Sequence, residues 1–598
     1  MTQAFSTRFP TWLGLAQGIV LYALYKSHQD RLWPQEAGWL FNAVLLSALL
    51  FPFILYWGQD VLSRVALRRL LLGAGGLIFA LGAYQGAMVF PLPEAGRLQL
   101  APASAFLGLA LLAFMLVPLT SGWASGSPHA TLGAWHYPRL FEHAWRNAVI
   151  TVQAGALTGL FWAVLSLGAQ LFHLIGVDWP SETIRKPWFA IPVTTLSIAL
   201  GLRTGLRTGL RRAAFTVTLR NHWLTLTVWL LPVASLIGVA FVLTTLTGVE
   251  KLFERGLSAF FLLWFAAFWI TFFNSAFQDG QDEPPLHRHL RSVLPIAALA
   301  LLAVVGLAAW ALALRVLQYG LTPDRIWGML AVAVALAYGI GYALSWRTGR
   351  RARWMPGIAP ANIVASLIMS AGIVLLLSPV LDANRLATAS QMARLQAGTV
   401  LADAFDVDAL ARQERAGYLA LSELKRQRGA DGKPAKLALR AEDALNNAYR
   451  YRMDEQNESG ELASVLTDRI DVYPAGKTLP EGFAGALKQD IAGWEAWQRT
   501  QSCFARHQTH QRCIALRVDL DRDGLEDVVL WQGNAHESAV YAQRDGQWRR
   551  VGSLVVSESS GPDSVRAELA TGSYATQPLR WDELRVGKSR FQVFENAE

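Results

Sequence analysis

Long runs of apolar residues dominate the first two thirds of the chain. A bilayer core about 30 Å thick needs roughly 20 apolar residues in one helix. A water-soluble bundle would instead carry a polar stripe along each helix, and these runs carry none. The pattern therefore predicts about eleven membrane-spanning helices, near residues 11–27, 38–58, 70–90, 102–122, 148–174, 188–204, 222–247, 256–277, 293–314, 326–346 and 362–381.

The sixth predicted span, residues 188–204, is short and runs directly into Arg203. Snorkelling of this arginine towards the lipid headgroups would let the segment cross the membrane. Totals of ten and twelve spans are therefore alternatives to eleven.

The basic residues of the short loops predict the orientation of these spans. The N-terminus and every second loop carry 17 Lys and Arg residues, whereas the loops on the other side carry 9. Because basic loops remain in the cytoplasm, the N-terminus is predicted to be cytoplasmic. An odd number of spans then places the remainder of the chain outside the cytoplasm.

Composition changes sharply near the last predicted span. Residues 1–380 hold 26 Lys and Arg against 13 Asp and Glu, whereas residues 381–598 hold 28 against 32. The net charge of +9 therefore belongs to loops that flank the membrane. It indicates contact with the lipid bilayer and gives no reason to expect nucleic acid as a partner.

The segment after the last predicted span has the pattern of a soluble α+β domain. We divide the chain into a transmembrane domain at 1–381 and a soluble domain at 382–598. Helical periodicity covers much of 383–500, and alternation with period two follows Cys513. Asp545-Gly546 is a hairpin turn signal between the last two predicted strands. The sequence therefore predicts helices first and a small antiparallel sheet, at 513–598, after them.

An Asp-rich turn lies within the predicted sheet. Its carboxylates stand at the first, third, fifth and ninth positions, with Gly524 at the sixth, as in oxygen-rich calcium loops. The twelfth position is Leu530, which cannot supply the bidentate carboxylate of an EF-hand, so any calcium binding should be weak. The alternative is a solvated turn whose side chains accept backbone amide hydrogens. The candidate metal ligands are Asp519, Asp521, Asp523, Asp527 and the backbone carbonyl of Leu525.

Both cysteines of the chain, Cys503 and Cys513, lie in the soluble domain. In an oxidising compartment they could close a short loop by a disulfide that contributes about 3 kcal/mol. Two free thiols in a cytosolic domain are the alternative. Their clustering favours the disulfide and agrees with a domain outside the cytoplasm.

A repetitive basic run follows the sixth predicted span. Arg203, Arg207 and Arg211 recur every four residues, which places them on one helical face, and Arg212 follows. Such a face attracts anionic lipid headgroups. A loop that only sets the topology is the simpler interpretation.

Three stretches beside the predicted spans resemble a bacterial membrane family catalogued as domain of unknown function 4153. They close the eighth span, link the ninth to the tenth, and lead out of the last span through Ser390, Gln391 and Arg394. The resemblance covers roughly residues 10–420 and implies a multi-pass envelope protein without an established activity. The positions that carry it in the first two stretches are Asn274, Gln278, Asp279, Gly280, Arg315, Tyr319, Gly320 and Arg325.

Charged residues are scarce inside the predicted spans, which argues against ion-coupled transport. No nucleophile or metalloprotease motif is present, so we favour a non-enzymatic protein. Our leading interpretation is a protein of the bacterial inner membrane whose periplasmic tail senses or binds an envelope protein or a small ligand. A transporter or lipid-handling protein, with the tail as its regulator, is the alternative, and an enzyme ranks third.

Overall fold

The computed structural model contains two compact units, Met1–Arg426 and Gln427–Glu598, which are described separately. The residues described are 9–30, 32–35, 37–89, 100–123, 131–211, 213–247, 258–345, 354–427, 435–454, 470–492, 512–531, 537–544, 546–555, 568–569, 571–572, 584–586 and 589–591.

Helices build the first unit. They are α1 (Phe9–Asp30), α2 (Gly38–Gly58), α3 (Arg64–Met88), α4 (Ala103–Gly122), α5 (Tyr137–Leu174), α6 (Trp179–Arg185), α7 (Pro187–Arg211), α8 (Ala213–Val228), α9 (Leu230–Thr247), α10 (Ala259–Phe277), α11 (Arg288–Tyr319), α12 (Pro323–Ser345), α13 (Ile358–Leu376), α14 (Ala383–Gln396), α15 (Val407–Ala411) and α16 (Glu414–Lys425).

Nine segments in the described part of the chain are long and apolar enough to cross a bilayer. They are α2 to α5, α10 to α13, and Arg220–Thr245, which joins parts of α8 and α9. The other two predicted spans, 11–27 and 188–204, fall on α1 and α7, which are helical but less apolar. A helical membrane bundle is therefore confirmed, and the predicted count of eleven spans is approximate.

Large apolar side chains lie on the outward faces of the bundle. Leu72, Leu171, Leu236 and Phe260 are between 66% and 79% exposed. In water such surface would be costly, whereas in a bilayer it contacts lipid. The exposed faces and the spans together make this a membrane protein in contact with the lipid bilayer.

Close helix pairs rest on glycines at i and i+4. A side chain at Gly86 of α3 would lie within 2.9 Å of the Gly38 carbonyl oxygen and 3.0 Å of the Trp39 Cα on α2. Gly14 and Gly18 of α1 face α7 with equally little room. Small residues let backbones approach closely, which drives helix association where lipid removes the hydrophobic effect.

The predicted seventh span is interrupted. Helix α8 ends at Val228 and α9 begins at Leu230, with Trp229 between them. Pro232 causes the break because its ring clashes with the carbonyl of the residue four positions earlier, which is Val228.

The helices that follow the last span belong to the first unit and not to the tail. Ala383 and Ala387 of α14 are buried against Ile326 of α12 and Leu376 of α13. Farther on, the Nη1 of Arg415 in α16 donates to the Ala87 carbonyl of α3 at 3.3 Å. The predicted division at 381/382 followed the end of apolar sequence, whereas the compact unit continues to Arg426 because these polar helices pack on the bundle.

The second unit combines two described helices, α17 (Lys436–Asp454) and α18 (Phe483–Ala492), with two sheets. The larger sheet has the order β1-β2-β3-β4-β5 and the smaller pairs β6 with β7. The strands are β1 (Ile470–Tyr473), β2 (Cys513–Val518), β3 (Asp527–Trp531), β4 (Glu537–Arg544), β5 (Gln547–Val555), β6 (Leu584–Val586) and β7 (Ser589–Phe591).

The α+β prediction for this unit holds, with one correction to the sheet. Strands β2 to β5 pair antiparallel at the predicted places, but β1 lies in the region predicted to be helical and pairs parallel with β2. The sheet is therefore mixed. Four residues are too few for alternation to mark a strand in the sequence.

Aromatic packing joins α18 to the sheet of the second unit. Phe483 of α18 makes edge-on contacts with Tyr541 of β4 and Trp548 of β5, at ring-centroid distances of 5.2 and 5.7 Å. The Tyr541 hydroxyl is buried and donates to an Asp490 Oδ2 at 2.6 Å. These contacts fix the helix over β4 and β5.

Candidate functional site

The Asp-rich turn connects β2 to β3 and is held by its own carboxylates. Asp519 accepts the backbone N–H groups of Arg522 and Gly524, at 2.7 and 3.1 Å. Asp523 accepts the N–H of Leu525 at 2.8 Å. Arg522 and Gly524 adopt positive φ angles of 61° and 86°, which bends the backbone around these carboxylates.

Three of the four predicted carboxylate ligands converge in this turn. One oxygen from each of Asp519, Asp521 and Asp527 lies within 4.8 Å of the other two. Calcium binds oxygens at about 2.3–2.6 Å, so two oxygens on opposite sides of one ion are about 4.6–5.2 Å apart. The three carboxylates are therefore close enough to share one metal ion, with Asp527 at the start of β3.

The predicted fifth and seventh ligand positions differ from this trio. Asp523 does not join the three converging carboxylates, and its Oδ1 points back to the Leu525 amide. Leu525 is exposed in the turn. The contact between its backbone carbonyl and a metal stays a prediction. At the twelfth position Leu530 is fully buried within the sheet, so that position supplies no ligand.

The pKa values of the neighbouring carboxyls of Asp527 and Glu526 are shifted in opposite directions. Asp527 is buried, and burial raises the pKa of its carboxyl, as do the neighbouring Asp521, Asp523 and Asp519 to a smaller extent. The N–H of Leu520, 2.9 Å from Asp527 Oδ2, opposes this pKa shift. A cation between these carboxylates would remove the repulsion that Asp527 experiences.

Basic residues neutralise the outer side of the turn. Asp521 pairs with Arg544 at 2.7 Å, and Glu526 pairs with Lys477 and Arg517. The hydrogen bond from Lys477 lowers the pKa of the Glu526 carboxyl. Glu526 is thereby engaged by basic residues and is not one of the converging carboxylates, so a metal there would rely on the aspartates alone.

The predicted disulfide falls only partly within the described chain. Cys513 begins β2 and is buried, whereas Cys503 lies outside the described residues. The disulfide therefore stays a prediction.

Asn274 belongs to a buried polar network in the membrane bundle. Its Oδ1 accepts hydrogen bonds from Asn362 Nδ2 at 2.7 Å and from the Tyr342 hydroxyl at 3.0 Å. Asn362 Nδ2 also lies 3.2 Å from the Tyr137 hydroxyl, which donates to the Gln278 carbonyl at 3.1 Å. The neutral groups satisfy one another, which is the usual role of polar residues between membrane helices.

The sequence predicted only part of this network. Asn274 was marked as a motif position, but its partners Tyr342 and Asn362 were missed because they lie 68 and 88 residues away. An uncharged Tyr or Asn within an apolar run is the only signal they carry.

The segment after α10 is a tight turn. Gln278 and Gly280 have positive φ angles of 52° and 75°. Asp279 Oδ1 accepts the Gln281 N–H at 3.0 Å, and the Phe277 ring fills the space beside Gly280. These contacts account structurally for three of the motif positions.

The other motif positions meet where α11 ends and α12 begins. Gly320 has a φ of 75° and ends α11, and its carbonyl accepts Nη1 of Arg325 at 2.6 Å. The guanidinium groups of Arg315 and Arg325 lie 5.7 and 5.6 Å from the centre of the Tyr319 ring. This brings four of the predicted motif positions together.

Helix α14 fastens this junction from outside the bundle. Ser390 Oγ accepts the Leu321 N–H at 3.0 Å, and Gln391 Nε2 donates to the carbonyls of Tyr319 and Leu321 at 3.0 and 2.8 Å. Arg394 Nη2 donates to the Gln318 carbonyl at 2.6 Å. The motif residues of α14 therefore cap the end of α11.

Only the first arginine of the predicted basic run can be described fully. Arg203 Nη1 donates to the Thr11 hydroxyl of α1 at 3.1 Å. Arg207 and Arg211 lie in α7 with side chains outside the description, and Arg212 lies outside the described residues. Their contact with lipid stays a prediction.

A cavity of about 530 Å³ opens between α1, α2, α4, α5 and α7. Its lining is almost wholly apolar, and its few polar side chains each form a hydrogen bond within the protein. Thr194 Oγ1 accepts the indole N–H of Trp162 at 3.1 Å, and Gln17 donates to the Ala48 carbonyl at 3.0 Å. The lining includes Leu21, Leu49, Leu50, Phe53, Trp57, Phe106, Ala110, Ala113, Ala190, Ile191 and Ile198.

Comparison with protein families gives one match. The family described as "Domain of unknown function (DUF4153)" matches residues 39–424, from α2 into α16. The match covers the first unit beyond α1 and stops before the second. No curated protein and no solved structure matches the chain.

Proposed function

The chain belongs to the DUF4153 family, and we propose that it is a non-enzymatic protein of the bacterial inner membrane whose C-terminal unit senses calcium in the periplasm. The observation that carries this proposal is the convergence of the Asp519, Asp521 and Asp527 carboxylates within 4.8 Å. The loop charges, 17 basic residues against 9, support a cytoplasmic N-terminus and a periplasmic tail.

A role in sensing agrees with the weakness of the site. The site has three carboxylates, one of them paired with Arg544, and a leucine where an EF-hand has its bidentate glutamate. Extracellular calcium modules with few ligands bind at about 10⁻⁴–10⁻³ M. A site with an affinity in this range can respond to calcium outside the cytoplasm. It is too weak to bind calcium at the low concentrations of the cytoplasm.

The decisive experiment measures calcium binding by the full-length protein in detergent, by equilibrium dialysis. We expect one ion per chain with a dissociation constant of about 10⁻⁴–10⁻³ M. Asp519→Asn, Asp521→Asn and Asp527→Asn should each abolish saturable binding in this range. Asparagine still accepts the backbone hydrogens that hold the turn, so these variants remove charge and leave the local fold intact.

Asp523→Asn is the matched control. It removes the same charge from the same turn, but Asp523 lies outside the converging trio and its bond to Leu525 survives in the variant. Binding should therefore persist. If the wild-type protein binds no calcium at millimolar concentration, or if all four variants behave alike, the turn is only a structural connection.

Lipid handling is the second candidate, and the apolar cavity of the first unit favours it. The polar groups described in its wall already have protein partners, so an occupant gains from apolar contact alone. A lipid acyl chain has this character and is present around every membrane helix. The C-terminal unit would then act as a regulator.

Filling the cavity tests the lipid candidate. Ala110→Trp places a large ring in the space that Ala110 now borders on α4. The variant should retain fewer phospholipids than the wild-type protein through purification in mild detergent, as counted by native mass spectrometry. Leu72→Trp is the control because Leu72 is 79% exposed on the outward face of α3. Equal lipid retention in both variants would contradict lipid binding in the cavity.

A further inference from the structure

Three arginines from three helices meet at the α11–α12 junction. Arg315 of α11 and Arg325 of α12 stack on the Tyr319 ring, at 5.7 and 5.6 Å from its centre. Arg394 of α14 reaches the same helix end through the carbonyls of Leu317 and Gln318, at 3.3 and 2.6 Å. We call Arg315, Arg325 and Arg394 the arginine cluster.

No carboxylate in the described part of the chain forms an ion pair with the arginine cluster. Elsewhere in the first unit the protein does pair arginines in this way, as with Arg146 and Asp60 at 3.2 Å. Three like charges close together repel one another, so folding has placed them against an electrostatic cost. A bound anion would remove that cost.

Capping of α11 accounts for only part of the cluster. The negative end of the helix attracts cations, and its carbonyls take hydrogen bonds from Arg325 and Arg394. Arg315, however, makes no hydrogen bond within the described chain. The Nε of Arg394 is buried without a hydrogen-bond partner there. Since each guanidinium has five N–H donors, most donors of the cluster make no hydrogen bond within the described chain.

The position of the cluster selects the chemistry of that ligand. Arg315 follows the last buried apolar residue of α11, Leu312, and Arg325 lies in the first turn of α12. Tyr319 and Leu317 are 53% and 75% exposed beside them. The ends of two spans, marked by an exposed aromatic ring, lie at the depth of lipid headgroups, where the anionic group is phosphate.

We propose that the arginine cluster is a binding site for a phosphate ester, carried by a lipid headgroup or by a soluble molecule. The planar fork of a guanidinium matches two phosphate oxygens. Arg315 binds with its free donors, while Arg325 and Arg394 add charge from positions that the α11 carbonyls fix. Tyr319 holds Arg315 and Arg325 beside each other.

The test uses the full-length protein in maltoside micelles, which contain no phosphate. Phosphatidylglycerol is the probe, and native mass spectrometry counts the bound lipids. Arg315→Gln should weaken the tightest binding event about tenfold, because it removes a charge-assisted contact to phosphate. Arg315→Lys should lose less, since it retains the charge but not the fork.

Arg394→Gln should weaken binding similarly, but it also loosens α14, so Arg315→Gln is the decisive variant. Arg68→Gln is the matched control, because it removes one exposed arginine near the start of α3. It should bind phosphatidylglycerol like the wild-type protein. Diacylglycerol with the same acyl chains should bind weakly.

Competition by inorganic phosphate identifies the source of the ligand. Displacement of the lipid shows that the cluster also takes phosphate from a soluble molecule, whereas no displacement shows that it needs the lipid. Both results support the proposal when Arg315→Gln is impaired. Unchanged binding by Arg315→Gln, an equal loss in Arg68→Gln, or equally tight diacylglycerol binding would overturn it.

Discussion

Asp527 differs chemically from the other aspartates of its turn. It is only 4% exposed and begins β3, whereas Asp519 and Asp521 stand nearer to water. Burial raises the pKa of the Asp527 carboxyl above its ordinary value. Ionisation of Asp527 therefore destabilises the folded unit unless a cation is bound.

The raised pKa of Asp527 predicts how stability depends on pH without calcium. The folded unit holds the Asp527 proton more tightly than the unfolded chain. The stability linked to this proton is thus present below the unfolded pKa and is lost as pH rises through the folded pKa. Asp527→Asn should remove this loss, so its advantage over the wild-type protein should grow as pH rises from 4 to 7.

Thermal melting of the full-length protein in chelator, at several pH values, measures this effect. Asp523→Asn removes an exposed carboxylate from the same turn and should show much less growth, because burial is the larger cause of the raised Asp527 pKa. Added calcium should reverse the order and favour the wild-type protein. An Asp527→Asn variant that loses stability steadily with rising pH would contradict the expectation.

The pairing of α2 with α3 depends on backbone contact. Gly86→Leu would press its side chain against the Gly38 carbonyl and the Trp39 Cα, which cannot move aside as side chains do. We expect a loss of about 1–3 kcal/mol, seen as a lower aggregation temperature in detergent.

Gly76→Leu is the control on the same helix, because nothing lies within 4 Å of a side chain placed there. It should be neutral or slightly stabilising, since leucine favours the helix by about 0.8 kcal/mol over glycine. Equal losses in the two variants would show that α3 does not pack on α2 through Gly86.

Hydropathy predicts the membrane-spanning helices because the surrounding lipid alone requires their apolar stretches. Residues 38–58 were predicted as a span and form α2 with the same bounds. The predicted span 293–314 becomes the longer helix Arg288–Tyr319, because its polar ends continue the helix beyond the apolar stretch. Local spacing likewise revealed the Asp-rich turn, whose ligands lie within nine positions of one another.

Contacts between distant segments left no such mark. The four residues of β1 are too short for a periodic signal, and their partner β2 lies 43 residues away. The bonds from Gln391 to Tyr319 and Leu321 join residues about 70 positions apart. The sequence shows that these residues are polar, but whether they contact one another depends on how the helices pack.

The proposed orientation of the whole molecule rests on the count of basic residues in its loops. A fusion of alkaline phosphatase, an enzyme active only outside the cytoplasm, to the C-terminus should therefore be active. A fusion after residue 350, in a loop counted among the basic ones, should be inactive. The reverse result would invert the topology and remove the basis for a periplasmic calcium sensor.

The chain that leaves the last span is tied back to the bundle before it reaches the second unit. Gln391 and Arg394 hold α14 to the end of α11, and Arg415 holds α16 to α3. A pulling force on the C-terminal unit is consequently borne first by these contacts. It reaches α13 only after they have broken. The contacts of α14 and α16 with the bundle thus protect the last membrane span from force applied to the C-terminal end of the chain.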